Sequence, residues 1–209
     1  MLNNNLLKLS VGSGKMEKIS SLNTDTTINE FCIKMNNSEK ENIICSDCYS
    51  MKMLKTYRKN CIPNFRNNSK LLSESLIHWD LLPIVLNSHF RFNSHGELIN
   101  KIHFKNLIRI CLKNPYCHFT LWTKRANIIN SCFKEINKPK NLNLIFSNSI
   151  IDKPLKKIPK YFDKTFNNVS KDYKQKSEIN CNSKCVECMV CYLKKDKKNN
   201  IRHIIELEK

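Results

Sequence analysis

Four cysteines, Cys181, Cys185, Cys188 and Cys191, stand in the stretch "CNSKCVECMVCY" with the spacing C-x3-C-x2-C-x2-C. Thiolates are soft ligands, and four of them in one short loop can close a tetrahedral zinc site or hold a [4Fe–4S] cubane. Zinc sites usually join two C-x2-C knuckles across a longer loop, whereas three successive short gaps are closer to a ferredoxin-type run. A second group, Cys32, Cys45 and Cys48, is looser and ends in "CSDCY". Three thiolates leave one coordination position open, and an open position lets a cluster or ion bind substrate. The alternative has Cys45 and Cys48 share one metal with two of the C-terminal cysteines and clamp the chain ends together. Spacing alone leaves both arrangements standing, one site or two.

The other four of the eleven cysteines read differently. Cys111 and Cys132 fall inside helical patterns, Cys117 opens a strand and Cys61 follows a helix. Free cysteine is among the most buried residue types, so these four are expected in the core. The metal reading of the seven others depends on compartment. The N-terminal "MLNNNLLKLSVGSGK" has no apolar stretch of signal-peptide length, and no run of membrane-spanning length occurs. The chain is expected to be cytoplasmic, where close cysteines signal metal binding or redox chemistry more often than disulfides.

A net charge of +18 sets a second functional class beside the first. Such a surface attracts phosphate backbones, so nucleic acid is a candidate partner. A solvated lysine coat is the simpler account, because Lys and Asn are abundant throughout and only three glycines occur.

The elements that must position these groups alternate. "YSMKMLKTYRKNC" reads as a helix, and "SKLLSESLIHWDLLPIVLNS" as a second helix interrupted at Pro83. "HFRF" is a strand, "INKIHFKNLIRICLKN" a helix, "CHFTLW" a strand, "ANIINSCFKEINK" a helix, "NLNLIFS" a strand and "KTFNNVS" a further strand. A short strand is expected at Leu6 to Val11, and a basic linker with a strand or helix in "KKDKKNNIRHIIELEK". Strand and helix alternate at roughly 25–30 residues, which predicts βα units and a mostly parallel sheet. Too few units occur for a full eightfold barrel, so the expected fold is a single α/β domain over residues 1–209. Its form would be a partial, incomplete TIM-like βα barrel with Cys-rich loops at 31–50 and 180–192.

Each predicted strand ends in polar residues, at the edge where ligands bind in barrels and open α/β sheets. The candidates there are Arg91, His95, Glu97 and Lys124, with Gly96 and Thr123 between them. His95 and Glu97 could form an acid–base pair or simply flank a tight turn at Gly96. Arg91, facing a sheet surface, needs an anionic partner, either Glu97 or a ligand carboxylate. Trp79 and Trp122 are expected in the core, and "GSGK" at Gly12 is too short for a phosphate loop and reads as a turn.

In order along the chain, "CSDCYS", "HFRFNSHGEL", "FTLWTKR" and "CVECMVCY" resemble the phage-associated gene product 88 family, from about Cys32 to Tyr192. The resemblance implies all seven of Cys32, Cys45, Cys48, Cys181, Cys185, Cys188 and Cys191 as metal-associated positions. It also highlights Arg91, Gly96, Glu97, Thr123 and Lys124. The family in turn is distantly similar to radical S-adenosylmethionine proteins, which combine a partial βα barrel with a cubane held by three cysteines. That likeness implies one or two [4Fe–4S] clusters and S-adenosylmethionine as cofactors, with Zn2+ the alternative metal. Cys181, Cys185 and Cys188 reproduce the C-x3-C-x2-C spacing but lie at the far end of the chain, with Val186 and Glu187 in the last gap. The reactive cluster is therefore expected at Cys32, Cys45 and Cys48, and an auxiliary cluster at the C-terminal quartet. The opposing expectation is a non-enzymatic phage-type protein with a structural metal and a nucleic-acid-binding surface.

Overall fold

The computed structural model describes residues 6–193 and 200–208. Its frame is a seven-stranded sheet whose strands follow one another in chain order. These are β1 (Leu9–Val11), β2 (Ser20–Leu22), β3 (His89–Phe92), β4 (His118–Thr123), β5 (Leu142–Ser147), β6 (Lys164–Val169) and β7 (His203–Leu207). β1 runs antiparallel to β2, and every later neighbour is parallel. The sheet is open: among the described residues β1 and β7 pair only with their sequence neighbours. The expected α/β class and mostly parallel sheet are present, but the strands do not close around an axis.

The helices are α1 (Glu30–Asn36), α2 (Tyr49–Lys55), α3 (Ile62–Glu74), α4 (Lys101–Lys113), α5 (Ala126–Cys132) and the single turn α6 (Cys185–Cys188). α4 shows why they form. Phe104, Leu107, Ile108 and Cys111 recur at helical spacing and are buried, while the Asn100 side chain accepts from the His103 amide at 2.9 Å to cap the start. This apolar face, with Leu72 of α3 and Ile128, Ile129 and Cys132 of α5, packs on Phe90, Phe92, Phe119, Leu121, Leu142 and Leu144. Those strand residues alternate, so they share one face of the sheet. The second face carries Arg91, Thr120, Trp122, Asn143, Ile145, Lys164, Ile204 and Glu206 by the observed register. Instead of a helix layer, the C-terminal cysteine segment covers it: Val190 and Tyr192 pack with Trp122, Ile145 and Ile204.

Several boundaries differ from the sequence reading. β2 lies in a stretch where no element was expected, and α1 (Glu30–Asn36) occupies the start of the 31–50 segment read as a loop. The helix from Tyr49 stops at Lys55, and a new helix begins at Ile62, before the Ser69 expected. The stretch after Glu74 is not helical apart from one 3-10 turn at Trp79–Leu81. Two asparagines fix it instead: the Val85 amide donates to Asn114 at 2.7 Å and the Ile77 amide to Asn106 at 3.0 Å. Residues 1–5, 194–199 and 209 lie outside the described residues, and with them part of the basic linker. Among the described residues, no helix is long and apolar enough to cross a membrane.

Candidate metal and thiol sites

The first three cysteines arrive at the C-terminal edge of the parallel strands by separate routes. Cys32 is carried on α1, whose start is capped by Asn29 accepting from the Phe31 and Cys32 amides. Cys45 sits in a loop tied to the end of β5, where the Ile44 amide donates to the Ser149 carbonyl and the Ile151 amide to the Asn42 carbonyl. The Asn36 amide reaches back from α1 to the Cys45 carbonyl at 2.8 Å. Cys48 caps α2, and the next residue, Tyr49, donates to the Ser94 carbonyl beyond β3. The trio thus lies over the ends of β3, β4 and β5.

Its electrostatics are mixed. Burial pushes the Cys32 thiol up, with the charges of Glu97, Cys48 and Cys45 adding to it and Lys124 opposing. Burial also raises Cys45, again against Lys124 and with Cys48 and Glu97. These couplings put Cys32, Cys45 and Cys48 in one neighbourhood with Lys124 as its cation. Lys124 Nζ also donates to Ser147 at 2.9 Å, which holds the ammonium at the strand ends.

Glu97 and His95 are brought to this edge but not to each other. Buried Glu97 accepts from the Leu98 amide at 2.7 Å, Thr123 Oγ1 at 2.5 Å and the Lys124 amide at 2.8 Å, so it ties the end of β4 to the β3 loop. His95 Nδ1 meets Ser50 Oγ at 2.8 Å, and Ser50 meets Thr26 at 2.6 Å. Its Nε2 lies 3.3 Å from Arg58, which can only donate, so the proton belongs on Nδ1. Burial, then the charges of Arg58 and Arg91, pull His95 down to about 4, so the ring is neutral at pH 7. Gly96 between them has φ +85°, and a Cβ there would stand 2.0 Å from Thr24 Oγ1. The turn admits glycine for both reasons.

The quartet occupies the second face of the sheet. Its loop is pinned along its length by strand side chains. Lys164 Nζ donates to the Val190 carbonyl at 2.5 Å, and Thr120 and Asn143 both donate to the Cys191 carbonyl. At the other end the Cys181 amide joins the Ile205 carbonyl of β7. Met189, at φ +51°, closes the turn after α6. Cys181, Cys185, Cys188 and Cys191 pack in one cluster around Trp122 and Tyr192.

Three cations face these thiols. Lys15 Nζ donates to Cys181 Sγ at 3.2 Å and pairs with Glu206 at 2.6 Å. Arg91 lies over the Trp122 ring, 4.0 Å from its centroid, and its charge favours the Cys185 and Cys191 thiolates. Lys164 is buried, and that burial lowers its proton affinity while Cys191, Asp163 and Cys188 raise it. Burial in turn raises Cys191, assisted by Cys181 and Cys185, and raises Cys181, assisted by Glu206 against Lys15. Among the described residues neither Arg91 nor Lys164 forms an ion pair with a carboxylate. Of the two partners the sequence offered Arg91, Glu97 is not the one it meets, since that carboxylate accepts from three other donors.

Buried polar atoms on this face are also left over. Among the described residues Arg91 Nε and Asn143 Oδ1 have no hydrogen-bond partner. Burial pushes the Tyr192 phenol up, and the charge and hydrogen bond of Arg91 oppose it. Leftover polar atoms beneath four thiols suit an additional polar or charged group at this place. As the side chains stand, no three His, Cys, Asp or Glu among the described residues form a group that could hold a metal ion. The donor chemistry of the quartet, four soft ligands facing cations, nevertheless fits an anionic thiolate-ligated centre.

Cys111, Cys117 and Cys132 are buried as expected, and burial pushes Cys117 up to about 12. Cys61 is half-buried at the start of α3. Trp122 is buried as expected but doubles as the platform for Arg91, while Trp79 is exposed. "GSGK" does form a turn, and its Lys15 is the contact to Cys181 that the sequence reading passed over. Lys164 was also missed; its position in "KTFNNV", on the same face as Phe166, was the available signal. In the comparisons, the family model for Gene product 88 matches residues 12–205. No curated protein and no solved structure matches the chain.

Proposed function

The chain belongs to the Gene product 88 family, and we propose that it is an iron–sulfur protein with two centres. Cys181, Cys185, Cys188 and Cys191 would hold a closed [4Fe–4S] cluster on the second face of the sheet. Cys32, Cys45 and Cys48 would hold another at the C-terminal strand edge, with one position open. The observation that carries this reading is the partition of the cysteines. Those outside the apolar core divide, apart from Cys61, into two electrostatically coupled sets, one over the strand edge and one on the second face of the sheet. The strand order, sequential and parallel from β2 to β7, is that of a βα barrel left open, and it supports the partial-barrel reading. In that reading the trio sits where barrel chemistry is done, with Lys124 beside it to hold an anionic group. S-adenosylmethionine is the cofactor proposed for the open position, which would make the protein a radical-type enzyme. A bound cluster supplies one-electron chemistry; the chain's own residues ligate, orient and shield it.

Anaerobic reconstitution with iron and sulfide, followed by metal and sulfide counting, tests the reading. About eight irons per chain are expected for two cubanes. A colourless protein that retains tightly bound zinc and takes no iron would refute it.

One observation favours a second reading, binding of a polyanion. Lys156, Lys157 and Arg202 line an open cavity of about 550 Å³ with Asn200 and His203, at the strand edge opposite the trio. Affinity for single- and double-stranded oligonucleotides against salt concentration tests it, and no binding at low salt would remove it.

A further inference from the structure

Lys15, Arg91 and Lys164 reach the quartet from three separate parts of the chain: the turn before β2, strand β3 and strand β6. The carboxylates that act on them are Glu206, which Lys15 already pairs, and Asp163, which Lys138 already pairs. With each of these carboxylates paired to another lysine, Arg91 and Lys164 leave two positive charges facing the thiols. Among the described residues Lys164, 3% exposed, hydrogen-bonds through its side chain only to a carbonyl, and Arg91 keeps a buried Nε with no hydrogen-bond partner. Cations held this way, away from water and without an anion, destabilise a fold unless something negative completes them.

Four thiolates around a [4Fe–4S]2+ core make a dianion. We propose that Lys15, Arg91 and Lys164 are a cationic cradle that balances this dianion and sets the reduction potential of the quartet centre. The inference rests on the iron–sulfur reading above and adds to it the residues that tune the site. Each cation has its own means of staying in place. Lys15 is held by Glu206, Arg91 by the Trp122 ring at 4.0 Å, and Lys164 by the Val190 carbonyl. The ligand loop is therefore fixed to two of the charges that balance it, through Lys15 on Cys181 and Lys164 on the residue before Cys191. One added electron makes the centre more negative without breaking a bond, and the cradle favours that form. Arg91 and Lys164 are positioning residues here, acting on the centre through its field.

The test uses the full chain, anaerobically reconstituted, with iron and sulfide counted before any titration. The trio is replaced by serine, so that the quartet centre alone is observed, and its absorbance is followed through a dithionite titration with mediators. Arg91→Gln and Lys164→Gln are each expected to bind the same iron but to favour the oxidised form. At a fixed potential the oxidised-to-reduced ratio should rise about tenfold, roughly 59 mV for one electron. Arg91→Lys, which keeps the charge, should stay near the parent value, and an exposed control, Lys70→Gln, should not move it. If Arg91→Gln does not fold, Lys164→Gln and Arg91→Lys still carry the comparison. Unchanged potentials in a protein with full iron would overturn the cradle alone. A parent that binds no iron at the quartet would overturn the cradle and the iron–sulfur reading together.

Discussion

The two cysteine sets differ in how the chain builds them. The quartet comes from eleven consecutive residues, laid on the sheet face and stitched to three strands through carbonyls of its own loop. The trio is assembled from a helix, a loop and a helix cap, and its neighbours are one cation, Lys124, and one carboxylate, Glu97. The quartet stands in an excess of positive charge, whereas the trio stands in near balance. A site preloaded with positive charge suits a permanently bound anionic centre. A site with balanced surroundings at the strand edge leaves more to the ligand that completes it. In the proposed reading the first is a closed, structural or relay centre, and the second is the reactive one.

Removing ligands from each set should break this comparison most visibly. Cys185→Ser with Cys188→Ser is expected to lower stability by about 4 kcal/mol, roughly 10 °C in Tm for a chain of this size. The reason is that Val190 and Tyr192, which cover the second face, are anchored by the same loop. Cys45→Ser with Cys48→Ser should remove as much iron while leaving Tm nearly unchanged. Thermal unfolding of both reconstituted variants checks this. Equal losses of stability would mean that the two sites are not different in kind.

The next largest effect concerns the frame under the trio. Glu97→Gln replaces a carboxylate that accepts three hydrogen bonds with an amide whose NH2 must face donors. About 2–3 kcal/mol of stability should be lost, measured by urea unfolding. The quartet's iron should be retained, since among the described residues no group of the quartet loop hydrogen-bonds to Glu97. Loss of both centres in this variant would show that the edge and the face unfold as one unit.

How far these residues were legible in the sequence follows the range of the forces involved. The strands β3 to β6 and helix α4 announce themselves because each carries enough alternating or helical apolar residues to be read locally. β2 does not: Ser20, Ser21 and Leu22 are a strand because they pair with Phe90, Arg91 and Phe92, far along the chain. Helix α1 left a local signal in its Asn29 cap, but its sequence "EFCIKMN" buries no residue and gives little periodicity. The cysteines were legible as two groups from spacing alone. The cations that distinguish the groups were not, because Lys15 and Lys164 look like any other lysine among many until strand order puts them under the loop.

Acid stability separates the edge from the face by a smaller amount. His95 falls to about 4 and His103 to about 3, both driven first by burial, against an ordinary value of 6.5. Both are neutral in the fold, so between their folded values and 6.5 the unfolded chain binds more protons. Stability is therefore full above pH 6.5 and is lost as pH falls through this window, at most about 1.4 kcal/mol per pH unit for each ring. His95→Gln should flatten the slope by up to one ring's share, in urea unfolding followed from pH 7 to pH 5. An unchanged slope would mean that the Ser50–Thr26 network tolerates the imidazolium.

The smallest effect concerns Lys124 and is one of rate. Its charge favours the Cys32 and Cys45 thiolates against burial and Glu97. Lys124→Met removes that charge, so a smaller fraction of each thiol is ionised at a given pH, and the thiolate is the nucleophile. Alkylation of Cys32 and Cys45 in the metal-free protein at pH 8 should slow about threefold, followed site by site by peptide mass spectrometry. The quartet cysteines supply the internal reference: their cations are Lys15, Arg91 and Lys164, and their rates should not change. A uniform change across all seven would trace the effect to a general opening of the fold. A change confined to the trio would place Lys124 as its cation, the counterpart at the strand edge of the cradle on the second face.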